Sequence, residues 1–220
     1  MLRRPLEITQ FTPVAVRDSG AGDMMTTVHG DGNGTLWIGT AEGALLRRSG
    51  DVVDMIAARG SLGSSVQVIL HDRDGNIWIG TRNGGLMRWH DSQLRTLYNG
   101  PLAYEDLGAL FEDDEGSLWI GSSGAGLLRL RNGKFASYGQ TEGLASDNVW
   151  SIVPRGDSGL WIGTSGGLST LVNGVLRSVA LPKSHAHILV RGLSRFSCDR
   201  AILPTGGTLW LSRTSLWMSC

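Results

Sequence analysis

Several short segments carry residue types that could do chemistry. Gly163-Thr164-Ser165-Gly166-Gly167 has the spacing of a nucleophile elbow, in which a strained strand-to-helix turn presents a serine to a distant His and Asp. The corresponding segment earlier in the chain is Gly80-Thr81-Arg82-Asn83-Gly84, without serine, and no helical pattern follows either one. Both are expected as hairpin turns. Asp72-Arg73-Asp74-Gly75 and Asp113-Asp114-Glu115-Gly116 begin like calcium loops, but neither continues through alternating ligands to a bidentate Glu. His185-Ala186-His187 could set two imidazoles on one side of a strand, yet no third ligand stands at a workable spacing. His29, His71 and His90 lie at or beside turns and are expected in solvent. Cys198 and Cys220, the only cysteines, have no metal-ligand spacing. Asn33-Gly34-Thr35 is a glycosylation acceptor in form, but it falls in a hairpin. No catalytic constellation emerges, and neither a metal nor a cofactor is expected.

Composition narrows the classes further. Lys plus Arg and Asp plus Glu both count 20, which argues against a nucleic-acid binder or a polybasic membrane-surface protein. No run approaches the ~18 apolar residues of a membrane span. Met1 to Glu7 has two arginines but no apolar stretch behind them, so no signal peptide is expected there. The 32 glycines, and 8 tryptophans against 4 phenylalanines and 3 tyrosines, point to many short strands joined by tight turns.

Five of those tryptophans belong to one repeated motif. Gly34-Thr35-Leu36-Trp37-Ile38-Gly39-Thr40 returns around Trp78 and Gly80, Trp119 and Gly121, and Trp161 and Gly163, with a weaker copy at Trp210. The steps between tryptophans are 41, 41, 42 and 49 residues. Each period divides into four strands, A to D. Strand A is an alternating run such as Val66–Leu70 or Val149–Val153, followed by an Asp/Gly turn. Strand B is the Trp-Ile-Gly run. A glycine turn leads to strand C, for example Leu127–Leu130, and Asn132-Gly133 or Asn173-Gly174 turns into strand D, as at Lys134–Tyr138. A period of about 41 residues holding four antiparallel strands is the size of a β-propeller blade, so an all-β propeller is predicted. Strand B should be covered on both faces, with the glycine two residues after each Trp leaving room for the neighbouring blade.

The expected organisation is an orphan outer strand and connector at 1–23, blades at 24–58, 64–99, 107–139 and 149–180, and a degenerate or truncated blade at 181–220. In a meander, the A–B and C–D turns share one end of the blade. The B–C turn and the connection to the next strand A share the other, where the longer and more varied segments fall. Ligand contacts are therefore sought at that second end. Glu42, Arg82, Asn83, Ser123 and Ser165 come from the B–C turns, Glu142 from a connector, and Trp150 from strand A as a surface on which a sugar could stack.

The run from Asp72 to Arg88, Asp-x-x-Gly-Asn-Ile-Trp-Ile-Gly-Thr-x-x-Gly-Gly-Leu-x-Arg, resembles the two-component regulator propeller repeat, and Glu142-Gly143-Leu144-Ala145-Ser146-Asp147-Asn148-Val149 is similar to that family's connector into strand A. The likeness covers about residues 24 to 180. It implies seven-bladed rings in the extracytoplasmic sensor part of hybrid histidine kinases or diguanylate cyclases, often sensing oligosaccharides. By that likeness the chain is a periplasmic or extracytoplasmic region that binds a small ligand or an oligosaccharide and relays to an output signalling domain, with a homodimer formed through the longer parent. The Asp/Gly turns are also similar to the Asp-boxes of sialidase propellers, which are structural.

The chain has about 5.4 periods where the family has seven, and Arg191 to Arg200 replaces the expected strand A and Asp turn of the fifth copy. A fragment of a seven-bladed ring is therefore expected. The alternative is a closed five-bladed ring in which Leu6–Val14 supplies the missing outer strand. The competing functions are a protein-interaction scaffold and a glycan-active enzyme. The latter would need converging Arg, Tyr and carboxylates, and Tyr98, Tyr104 and Tyr138 do not fall on strand A.

Overall fold

A computed structural model describes residues 23–97, 105–156 and 159–180, and the backbone of 209–211 and 216–218. The first blade is β1 (Met25–Gly30), β2 (Thr35–Thr40), β3 (Leu45–Ser49) and β4 (Val52–Ala57). The second is β5 (Val66–His71), β6 (Ile77–Thr81), β7 (Leu86–His90) and β8 (Gln93–Thr96), and the third is β9 (Leu107–Glu112), β10 (Leu118–Ser122), β11 (Leu127–Arg131) and β12 (Lys134–Tyr138). The fourth is β13 (Val149–Arg155), β14 (Gly159–Thr164), β15 (Gly167–Val172) and β16 (Val175–Ser178). Each is a four-stranded antiparallel meander, and successive blades meet along their A strands, β1 on β5, β5 on β9 and β9 on β13. This is the predicted all-β propeller. A separate two-stranded pair, β17 (Leu209–Leu211) with β18 (Leu216–Met218), holds the backbone of the weak fifth motif. Leu6–Val14, His185, His187, Cys198 and Cys220 lie outside the described residues.

The turns follow from local chemistry. Asn132 and Gly133 (φ 51° and 73°), and Asn173 and Gly174 (φ 50° and 76°), both adopt the left-handed conformation. That is the backbone a two-residue hairpin needs to match the strand twist.

Among the described residues three hydrophobic clusters form the core, one at each interface between the four blades. Trp37 packs with Val66, Ile69 and Ile79 of the second blade. Trp78 packs with Leu107, Leu118 and Ile120 of the third, and Trp119 with Val149, Ile152 and Ile162 of the fourth. Strand B thus presents Trp and Gly to the following blade and its Leu/Ile residues to the preceding one, which is why it is apolar throughout. The glycines have no room for a side chain. A Cβ on Gly39 would stand 2.4 Å from Val66 Cγ1, on Gly80 3.0 Å from Leu107 Cβ, and on Gly121 2.6 Å from Val149 Cγ1. Those three residues open the A strands of the next blades.

The tryptophans are fixed by polar groups as well. Asp72 Oδ2 accepts the indole N–H of Trp78 at 2.6 Å, and Asp113 Oδ2 that of Trp119 at 2.7 Å. The other oxygen of each Asp accepts backbone N–H groups of its own turn. These aspartates are turn-and-tryptophan clamps, in keeping with a structural role for the Asp/Gly turns. Arg88 lies 5.9 Å from the Trp78 ring and Arg129 5.3 Å from that of Trp119. In the fourth blade, Arg155 occupies the position of those aspartates and Thr170 stands opposite Trp161, where the earlier blades have an arginine. Arg155 compensates by lying 4.9 Å over the Trp161 ring.

His29 departs from the solvated reading. It is half-buried in β1, and its Nε2 accepts the backbone N–H of His71 at 3.1 Å. Burial and the neighbouring His71 lower its pKa, against an upward pull from Asp31.

Candidate functional site

Each of the four described A strands carries a bulge at its second residue. The register slips between Met25 and Thr27, between Val66 and Val68, and between Val149 and Ser151, and in the third blade opposite Gly121 and Ser122. The bulged residues are Thr26, Gln67, Gly108 and Trp150. A bulge re-aims its side chain while the flanking pairs hold. Its position is shared by all four blades, yet its residue type differs in each. Trp150 is half-buried, and a Cβ on Gly108 would lie 3.7 Å from Trp150 Cε3, so the indole extends over the glycine of the preceding blade.

Beside these bulges, one backbone bond recurs in each B–C turn. The N–H groups of Ala41, Arg82, Ser123 and Ser165 donate to the carbonyls of Met24, Ser65, Asp106 and Asn148, at 2.8 to 3.0 Å. The turns are therefore rigid, and side chains mounted on them are held at fixed positions.

Five of the seven residues named from sequence join into one rim. Asp106 Oδ1 accepts the N–H of Asn83 at 2.8 Å, while its carbonyl accepts that of Ser123 at 2.9 Å. Ser123 Oγ lies 3.4 Å from Asn148 Oδ1, and Ser165 Oγ 2.7 Å from Ser146 Oγ. Arg82 adjoins Asn83 with its side chain exposed, and Trp150 follows two residues after Asn148. Glu42 sits apart, beside Arg59 at 3.7 Å. Glu142 is committed to its own turn. One carboxylate oxygen accepts the N–H of Gly139 at 2.6 Å and the other the hydroxyl of Thr141 at 2.8 Å, and these bonds hold its pKa below the usual carboxylate range. Asp106, Ser146 and Asn148 are rim residues that the sequence reading did not single out. Their signal was the polar run just before strand A, Glu105-Asp106 ahead of β9 and Ser146-Asp147-Asn148 ahead of β13. Among the described residues, no group of three His, Cys, Asp or Glu side chains is arranged to hold a metal ion, and no helix is long and apolar enough to cross a membrane.

Comparison with known proteins follows the same line. Residues 60–83 match the family model described as two component regulator propeller. The extracellular domain of a hybrid two component system from B. thetaiotaomicron is similar to this chain at 26% identity, with a TM-score of 0.63 over 75% of this chain and 23% of that one. A second extracellular domain from B. thetaiotaomicron, that of a one component system, superposes with a TM-score of 0.66 at 19% identity over 78% of this chain and 24% of its own. This chain therefore spans about a quarter of the length of those two proteins. A catalytically inactive virginiamycin B lyase from Staphylococcus aureus, solved with quinupristin, shares the fold at 15% identity, with a TM-score of 0.61 over 75% of this chain and 58% of that one. No curated protein matches the sequence. The matched segment, and the return of its Trp-x-Gly motif in all four described blades, make the chain similar to propellers built of two-component regulator propeller repeats.

Proposed function

We propose that this chain is part of the extracytoplasmic sensing propeller of a signalling receptor. In this reading it binds an oligosaccharide or a similar small polar ligand at the rim running from Arg82 to Ser165, and relays occupancy to an output domain outside this chain. The observation that carries the reading is the likeness, at 26% identity over three quarters of the chain, to the extracellular domain of a hybrid two component system.

The chemistry of the rim supports it. Hydroxyl, amide and carboxylate groups on Ser123, Asn148, Ser165 and Asp106 stand on backbone fixed by recurring hydrogen bonds, and Trp150 follows two residues after Asn148. Sugars are recognised by such a combination, an aromatic face for the apolar C–H surface and placed polar groups for the hydroxyls. The signal would travel through the packed interfaces, because each rim segment is continuous with an A strand locked under the preceding blade's glycine.

Calorimetric titration of the chain with a broad oligosaccharide panel tests the proposal. Binding of a defined glycan, weakened on the order of tenfold or more by Trp150→Ala, is expected. Absence of binding across the panel, or binding indifferent to Trp150 and Ser165, would overturn it.

A further inference from the structure

The three interfaces between blades are built from equivalent positions, but they are not filled alike. Between the first and second blades, Trp89 on β7 packs at a tilt against Trp37, with ring centroids 6.3 Å apart. Between the third and fourth, Tyr138 on β12 does the same for Trp119 at 5.8 Å. At the middle interface both fillers are missing. The position of Trp89 is held by Leu130, each pairing with the strand B residue just before the tryptophan. The position of Tyr138 is held by Leu97, which bonds to Leu86 as Tyr138 pairs with Leu127. A cleft of about 440 Å³ opens there, with Trp78 and Leu97 on one wall and Leu118, Leu130 and Phe135 on the other. It lies toward the A–B and C–D turns, away from the rim.

The same place has an unmatched cation. The strand C arginines facing the tryptophans are Arg47, Arg88 and Arg129. Arg47 pairs with Asp54 at 2.7 Å and Arg129 with Glu115 at 3.4 Å. Arg88, which lines the cleft, has no carboxylate partner among the described residues, and the residue directly across from it on β8 is Arg95. Two like charges facing each other across a strand pair are unfavourable unless an anion joins them. The carboxylates nearby are mostly engaged. Asp72 is saturated by its turn and by the Trp78 indole. Glu112 is bound by Arg73 through the backbone N–H at 3.0 Å and the guanidinium at 2.8 Å. Asp74 is exposed at the mouth, and Arg131 on the far lip is paired with Glu115 at 2.5 Å.

We propose that the cleft between the second and third blades is a binding site for a small carboxylate with an apolar face. The ligand's flat side would lie between Trp78 and Leu130 and its carboxylate would meet the Arg88 guanidinium. The volume suits a single ring, and an Arg over an aromatic wall is a general arrangement for holding such an anion. The site is independent of the rim reading and stands or falls separately.

Titration of the full chain with D-glucuronate, benzoate and D-glucose, read by calorimetry and tryptophan fluorescence, tests it. One or both carboxylates should bind at millimolar concentration, and which one binds distinguishes a sugar acid from an aromatic acid. Glucose should show no binding that depends on Arg88 or on the open cleft. Arg88→Gln should weaken the carboxylate on the order of tenfold. Leu130→Trp, which copies the filling of the preceding interface, should abolish binding while the thermal transition stays cooperative. If Leu130→Trp does not fold, Leu97→Tyr copies the following interface and serves the same purpose. No carboxylate binding, glucose binding that filling the cleft abolishes, or carboxylate binding undisturbed by filling the cleft would each overturn the proposal.

Discussion

The Trp78 indole and the Asp72 carboxylate are joined by a 2.6 Å hydrogen bond that ties the middle of strand B to the turn before it. The Asp is itself buried, and its two oxygens accept four hydrogen bonds in all, from the backbone of Asp74 and Asn76, the Asn76 amide and the indole. The bond turns a mobile hairpin into a fixed abutment for the tryptophan that fills the interface.

Asp72→Ala should therefore destabilise the chain by about 2–3 kcal/mol, since it strands several donors and not one. Urea unfolding followed by tryptophan fluorescence measures the loss. Asp113→Ala should cost less, because its turn lacks the side-chain bond that Asn76 supplies.

Gly39→Ala and Gly80→Ala should each cost about 1–3 kcal/mol by overpacking an interface. The added Cβ on Gly39 meets Val66 Cγ1 at 2.4 Å, a contact that Val66→Ala removes, and Val66 Cβ at 2.6 Å, which is backbone-attached and stays. Val66→Ala combined with Gly39→Ala should be less damaging than the two single losses added together, and a double-mutant cycle measures that coupling.

Asn132→Val should cost about 1–2 kcal/mol, because a β-branched residue is forced into a positive φ in the β11–β12 turn. Asn132→Gly should be nearly neutral. Thermal unfolding of the two variants separates the conformational effect from loss of the side chain.

Acidification should destabilise the chain through His29. Its folded pKa lies below the ordinary value of 6.5, so the unfolded chain binds the proton more readily. The contribution is complete above that ordinary value and is lost as pH falls toward and through the lower folded value. Burial is the largest cause, with the neighbouring His71 adding to it and Asp31 opposing it. Urea midpoints measured from neutral pH downward should show this slope, and His29→Gln, which keeps an acceptor for the His71 N–H, should flatten it.

How much of this was legible in the sequence depends on how local each cause is. The strands and turns follow from period-two patterning and from Asn-Gly or Asp-x-x-Gly pairs, which act within a few residues. The glycine after each tryptophan also declared its role, because only close approach requires the missing side chain. The clamp of Asp72 on Trp78 spans a hairpin, and nothing in the spacing says that the indole N–H turns toward it. The bulges at Thr26, Gln67, Gly108 and Trp150 leave the alternating pattern almost intact, so Trp150 could be named as a candidate but not placed over Gly108. Glu142 looked available because it is charged and in a connector, whereas the short turn at Gln140–Glu142 folds its carboxylate back on Gly139. The central cleft was hidden for another reason. It arises only when Leu97 and Leu130 are compared with the aromatic residues at the neighbouring interfaces.

The most direct test of the central claim is a two-dimensional amide NMR titration of the chain with an oligosaccharide that it binds in the panel. The account predicts shift changes concentrated at Asn83, Asp106, Ser123, Asn148, Trp150 and Ser165, with the A–B and C–D turns unmoved. Changes confined to the opposite end, or absent from the rim at saturation, would contradict it.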